Sequence, residues 1–166
     1  MAVGPSIVVG FDSLAFTLTP GAEKWDFDSS GRAYKKRWMY NGTGAAVVAG
    51  QVVRVGYDGD EETNPRAATI VTALASVYVE TAVGWGPATG AGSIPDATFG
   101  WFVVQGYVEA YCYGGTDVDK DDSIKVVYSA SYPISFIEDG TARTVNSVGI
   151  ACAAQTAATE TLTLVY

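Results

Sequence analysis

The chain contains no histidine. That absence removes the commonest general base, the commonest metal ligand and the usual partner of a serine or cysteine nucleophile. Cysteine is scarce as well. Cys112 and Cys152 form no C-x-x-C motif, so neither a zinc site nor a thioredoxin-type site is indicated. Both lie in apolar, strand-like runs and read as buried thiols; a disulfide between them stays open, because a sequence does not give the separation it needs. Phosphate-binding glycine loops, the dinucleotide fingerprint and the nucleophile elbow are all missing. No apolar run is long enough to span a membrane. The start, Met1-Ala2-Val3-Gly4-Pro5, lacks a basic n-region, and Ile7-Val8-Val9 is too short for an h-region. The expectation is a product made in the cytoplasm, with no membrane partner, no cofactor, no metal and no enzymatic activity.

What the chain does contain is apolar surface. Hydrophobic residues make up 48% against 17% charged, enough to offset chain entropy and to argue against disorder. Nineteen glycines are scattered without a Gly-X-Y period, as short strands and tight turns require. The net charge of −8 repels phosphate backbones, so no nucleic-acid partner is expected.

The recurring period is two. Gln51–Tyr57 alternates, with Val53, Val55 and Tyr57 inward and Arg54 outward. Ala75–Glu80, Ile124–Tyr128 and Glu160–Tyr166 alternate in the same way, while Gly100–Gln105 is apolar on both faces, as in a central strand. Asn41-Gly42 reads as a hairpin turn, and Asp58-Gly59, Gly114-Gly115 and Asp139-Gly140 punctuate similarly. Asn64-Pro65 followed by Ile70, Ala73, Leu74 and Val77 has helical spacing, yet Thr69-Ile70-Val71-Thr72 is β-branched and favours strand. The expected fold class is all-β, a compact β-barrel or β-sandwich with an N-terminal arm and at most one short helix. Residues 1–39 form the arm or the first strands, and 40–166 the main domain.

Few clusters point to chemistry. Asp117-Val118-Asp119-Lys120-Asp121-Asp122-Ser123 opens like a calcium loop, but Asp122 stands where glycine is needed and Tyr128 where a bidentate glutamate belongs. A solvated acidic turn is the simpler account. Asp58, Asp60, Glu61 and Glu62 form a second acidic patch with no distinctive pair. Arg32, Lys35, Lys36 and Arg37 are the exception to the acidic balance. They read as an edge strand whose lysines block edge-to-edge pairing, or as an electrostatic contact to an acidic partner. Trp85 lies in the Gly/Pro-rich stretch from Gly84 to Thr98, a contact loop or flap, and is a candidate for a partner contact or, with Trp101 and Tyr107, for a sugar-stacking platform.

The order of short motifs is more informative. Gly50-Gln51-Val52-Val53 is followed by Phe99-Gly100-Trp101 and by Val104-Gln105-Gly106-Tyr107-Val108. An acidic turn precedes Ser123-Ile124, and Gly149-Ile150-Ala151 precedes Leu162-Thr163-Leu164. This order, from about Tyr40 to Tyr166, resembles the capsid decoration (head cement) proteins of tailed bacteriophages. The resemblance implies a structural virion protein on the capsid exterior that cements neighbouring major capsid subunits, often as a homotrimer. Its partners would be the major capsid protein and further copies of itself. Arg32, Lys35, Lys36, Arg37 and Trp85 are the contact residues to test. Other readings are a different virion component, such as a tail tube subunit or head fibre base, and a carbohydrate-binding or host-adhesion module.

Overall fold

A computed structural model describes residues 19–58, 61–68, 81–86, 92–112, 118–127, 135–138, 147–154 and 162–165; residues 57–58, 61–68, 126–127, 135–138 and 162–165 are described by backbone alone. Among the described residues there is no helix, and the chain is all-β. In chain order the strands are β1 (Glu23–Phe27), β2 (Ala33–Asn41), β3 (Val47–Val48), β4 (Val52–Asp58), β5 (Glu61–Ala68), β6 (Thr81–Gly84), β7 (Ser93–Ile94), β8 (Phe99–Gly106), β9 (Val108–Tyr111), β10 (Ser123–Val127), β11 (Ser135–Glu138), β12 (Gly149–Ile150) and β13 (Leu162–Val165).

The largest sheet has the order β1-β2-β5-β4-β6-β8, and β2 also pairs with β8. Successive pairings therefore lead from β2 through β5, β4, β6 and β8 back to β2. Only the β2–β5 pair is parallel among these. Pro65 is accommodated in β5 because the β2 partners begin one residue later, at Arg66, so no β2 ladder bond is lost at the proline.

Alternation along β4, β6 and β8 sends neighbours to opposite faces, and both faces are buried. Val53, Val55, Ala82 and Phe102 join Met39 of β2 in one cluster, covered by Val47 of β3 and Ile94 of β7. Val52, Val83 and Val103 face the other way and meet Ala110, Cys112, Val118, Ile124 and Ala151. β8 is thus apolar on both faces, as Gly100–Gln105 predicts. β4 is more buried than simple alternation implies, because Val52 packs on the face where exposed Arg54 points to water.

Several sequence expectations change. β2 is no edge strand: β1 lies on one side and β8 on the other. Residues 23–39 supply β1 and most of β2, so a division after Met39 would cut through a strand. Asn41-Gly42 makes no two-residue hairpin. The Asn41 side chain is buried instead, and its Nδ2 donates to the carbonyls of Ala45, Ile94 and Pro95 at 2.8, 2.9 and 3.1 Å. Its Oδ1 accepts from the amide and hydroxyl of Thr43. The stretch after Gly84 is not all loop, since it contains β7. The strand expected at Ala75–Glu80 lies outside the described residues. The acidic stretch does turn into β10: the Asp119 amide donates to Asp122 Oδ2 at 2.8 Å, and Asp121 adopts a positive φ of 76°. Both cysteines are free thiols, Cys112 buried and Cys152 partly so.

Gly106 ends β8 at φ 94°, and a Cβ there would lie 2.4 Å from the Ala33 carbonyl oxygen. Gly31, in the β1–β2 turn, has a φ of 78° but open space around it. Gly106→Ala is expected to cost about 2–4 kcal/mol, adding overpacking to strain. Gly31→Ala is expected to cost about 1 kcal/mol. Urea denaturation midpoints would show this order, and equal losses would contradict it.

Candidate functional site

The site grows from one row of cross-strand neighbours. Val52 pairs with Val83, Val83 with Val103, Val103 with Lys36, and Lys36 with Lys24. Lys36 therefore stands where a fourth apolar residue would continue the row. It is 1% exposed, and it packs at the junction of the valines with a group of aromatic rings. Period two along β2 places Tyr34, Lys36, Trp38 and Tyr40 on one face. Opposite Trp38 lies Trp101, and opposite Tyr40 lies Phe99. Ring contacts join them: Trp38 meets Trp101 edge-on at 5.2 Å between centroids, and Tyr40 meets Phe99 at 5.4 Å.

Trp85 follows β6 and continues its pairing, with its amide donating to the Trp101 carbonyl at 3.2 Å. This brings the indole over Lys36, whose Nζ lies 3.6 Å from the ring centroid. Trp101 and Tyr34 lie farther out, at 5.7 and 5.6 Å from the same nitrogen. An ammonium in such a position interacts with the negative faces of the rings, a contact worth up to about 2 kcal/mol when desolvated. The charge is also matched: Asp26 of β1 pairs with Lys36 Nζ at 2.9 Å. The indole N–H of Trp85 donates to the Tyr34 hydroxyl at 3.3 Å. Trp85 is thus held at two points yet remains 37% exposed.

The other three cations of the Arg32–Arg37 cluster sit elsewhere. Lys35 and Arg37 point to the opposite face, where both pair with Glu23, Arg37 at 2.8 Å. Arg32 closes the β1–β2 turn: its Nε donates to Asp28 Oδ2 at 2.6 Å, and Asp28 Oδ1 accepts the amides of Ser30 and Arg32. Its guanidinium lies over the Tyr107 ring at 5.6 Å. Of the five residues singled out from the sequence, Lys36 and Trp85 come together, Lys35 and Arg37 share Glu23, and Arg32 stands at the turn. Lys36 is not a surface cation, because the strands on both sides of β2 bury it. Tyr34 and Asp26 were not singled out; for Tyr34 the signal was its place two residues before Lys36.

The acidic partners titrate accordingly. The hydrogen bond from Lys36 holds the Asp26 carboxyl below the ordinary carboxylate range. That from Lys35 does the same for Glu23, and the Arg32 backbone amide does so for Asp28. Burial pushes the Tyr34 hydroxyl and the Cys152 thiol up.

Beside this group lies an open cleft of about 360 Å³, lined among others by Phe27, Arg32, Tyr34, Trp85, Tyr107 and Glu109. Among the described residues no cluster of three or more carboxylates or cysteines could hold a metal ion. No helix is long and apolar enough to cross a membrane. Comparison of the chain with protein-family models, with curated proteins and with solved structures finds no match.

The buried cation and its half-exposed anion respond unequally to mutation. Asp26→Ala leaves the ammonium in place without that carboxylate and is expected to cost about 2–3 kcal/mol. Lys36→Met keeps an apolar stem, and the Asp26 carboxylate left behind can hydrate, so the expected cost is about 1 kcal/mol or less. Urea melts of both variants check the order, and the reverse order would contradict it.

A second prediction concerns pH. Because Glu23, Asp26 and Asp28 hold protons less tightly folded than unfolded, the unfolded chain takes up protons first as pH falls. Their stabilisation is complete above ordinary carboxylate values and is lost as pH falls through the lower folded values. The thermal midpoint should therefore drop below about pH 4. A Glu23→Gln, Asp26→Asn variant should show a smaller drop, measured by circular dichroism melts across pH 2–6, a range chosen to bracket the carboxylates at about 4.

Proposed function

We propose that this protein is a structural virion component that binds the outer surface of a bacteriophage capsid and cements neighbouring major capsid subunits, acting as a homo-oligomer with a trimer favoured. The order of short motifs from Tyr40 to Tyr166 is what brings the reading forward. The observation that carries it is the outer face of the β1–β2 hairpin. Trp25 and Phe27 share one face of β1 and are 55% and 64% exposed. Lys35 lies directly opposite Trp25 in the register, and Arg37 opposite Glu23. Residues 23–37 carry five cations and three carboxylates, a net charge of +2 on a chain of −8.

Exposed aromatic side chains ringed by charge fit a subunit contact, in which the rings supply buried area and the rim sets orientation. The residual positive charge favours an acidic surface on the shell. This moves the proposed contact from the whole basic cluster to the hairpin face, with Lys35 and Arg37 at its rim and Lys36 behind it. A rigid sheet buried on both faces suits a clamp that works by repeated contacts rather than by chemistry, since symmetry multiplies modest affinities.

The test is co-sedimentation of purified protein with capsids that lack it. The wild-type protein should bind and raise the temperature at which the capsids rupture. A Trp25→Ala, Phe27→Ala variant should bind at least about tenfold more weakly while keeping its own melting temperature. Failure of the wild-type protein to bind at high excess would overturn the proposal.

A further inference from the structure

We infer that the cleft beside Trp85 is a binding site for a neutral saccharide, adjoining the hairpin face proposed to meet the capsid at Phe27 and otherwise built from other residues. The cleft combines two kinds of surface. Tyr34, Trp85, Tyr107 and Phe27 bring aromatic rings, which pack against the C–H faces of a pyranose. Arg32 and Glu109 bring a donor and an acceptor for its hydroxyls. A volume of about 360 Å³ lies at the small end of ligand sites. It suits about one or two sugar units.

Trp85 is the platform. Lys36, itself buried, sits over one side of the indole, and Tyr34 accepts from its N–H. The ring's exposure therefore lies on the side and rim away from Lys36, and its orientation is set before any ligand arrives. A platform fixed in advance loses little entropy on binding.

The charges select the ligand class. Arg32, the cation of the cleft lining, is already paired with Asp28, so the lining offers no unmatched cation to a phosphate or an acidic sugar. A cationic ligand on Trp85 would have to share the ring with the Lys36 ammonium, which lies 3.6 Å from its centroid and is already paired with Asp26, so the ring's attraction for a second cation is reduced. What remains is a polar, uncharged molecule with apolar faces, and a neutral sugar has that chemistry.

The experiment titrates the full-length protein with maltose, cellobiose, lactose and N,N′-diacetylchitobiose, read by tryptophan fluorescence and by saturation-transfer NMR, with cellobiouronic acid as the charged control. At least one neutral disaccharide should give a saturable signal at millimolar concentration. Trp85→Ala should weaken it by about tenfold or more. Because Trp85→Ala also removes the ring from Lys36, Glu109→Gln provides a second variant that leaves that contact intact, and it should weaken binding by about threefold or more. No saturable signal from any of the four sugars would overturn the inference. So would equal affinities in wild type and both variants, or tighter binding of cellobiouronic acid than of cellobiose. Because Phe27 lines both surfaces, capsid co-sedimentation of a single Trp25→Ala variant reads the hairpin face alone, so either proposal can fail without the other.

Discussion

The ammonium of Lys36 occupies a sheet face otherwise filled by valines and aromatic rings, and a charge in that place has to be compensated. Three segments meet to do so. β1 brings Asp26, the end of β6 brings Trp85, and β2 carries the lysine between them. Coulombic attraction alone seldom repays the dehydration of an ammonium. The carboxylate and the indole together replace part of the lost hydration. The contact also fixes geometry: it anchors the outer hairpin to the sheet at Asp26, and it orients Trp85 at the mouth of the cleft. Both proposed binding surfaces therefore share one internal support.

Around that point the sheet is a layer buried on two sides. Residues that alternate along β4, β6 and β8 serve two clusters rather than one core and one wetted face. β3 and β7 cover one side; β9, β10 and the Ala151 segment cover the other. Polar side chains enter this interior where they meet specific needs. Asn41 satisfies three carbonyls from two separate segments, and Lys36 takes its place in the valine row.

The parts legible in sequence were those governed by local pattern. Val52–Asp58 and Phe99–Gly106 are strands where period two and a double-sided apolar run placed them. The acidic stretch before Ser123 is a turn. What escaped was set by strand register. Four cations within six residues signal a surface, and nothing local says that β8 and β1 will close over the second lysine. The aromatic partners of Lys36 come from distant strands, so the cluster exists only once Val103 is opposite Lys36. Asn41-Gly42 has the composition of a hairpin turn, but the carbonyls of Ile94 and Pro95 compete for the Asn41 side chain and win. The all-β class was legible from the strand runs, whereas the arrangement at Trp85 depended on which strands become neighbours.

The Lys36 ammonium is held against the Trp85 ring. Proton NMR of the lysine side chains tests it most directly, because an aromatic ring shields protons that lie over its face. The Lys36 Cε protons should resonate well upfield of those of exposed Lys120, and Trp85→Leu should move them substantially back. Lys36 resonances that coincide with those of Lys120 in the folded wild-type protein would contradict this contact.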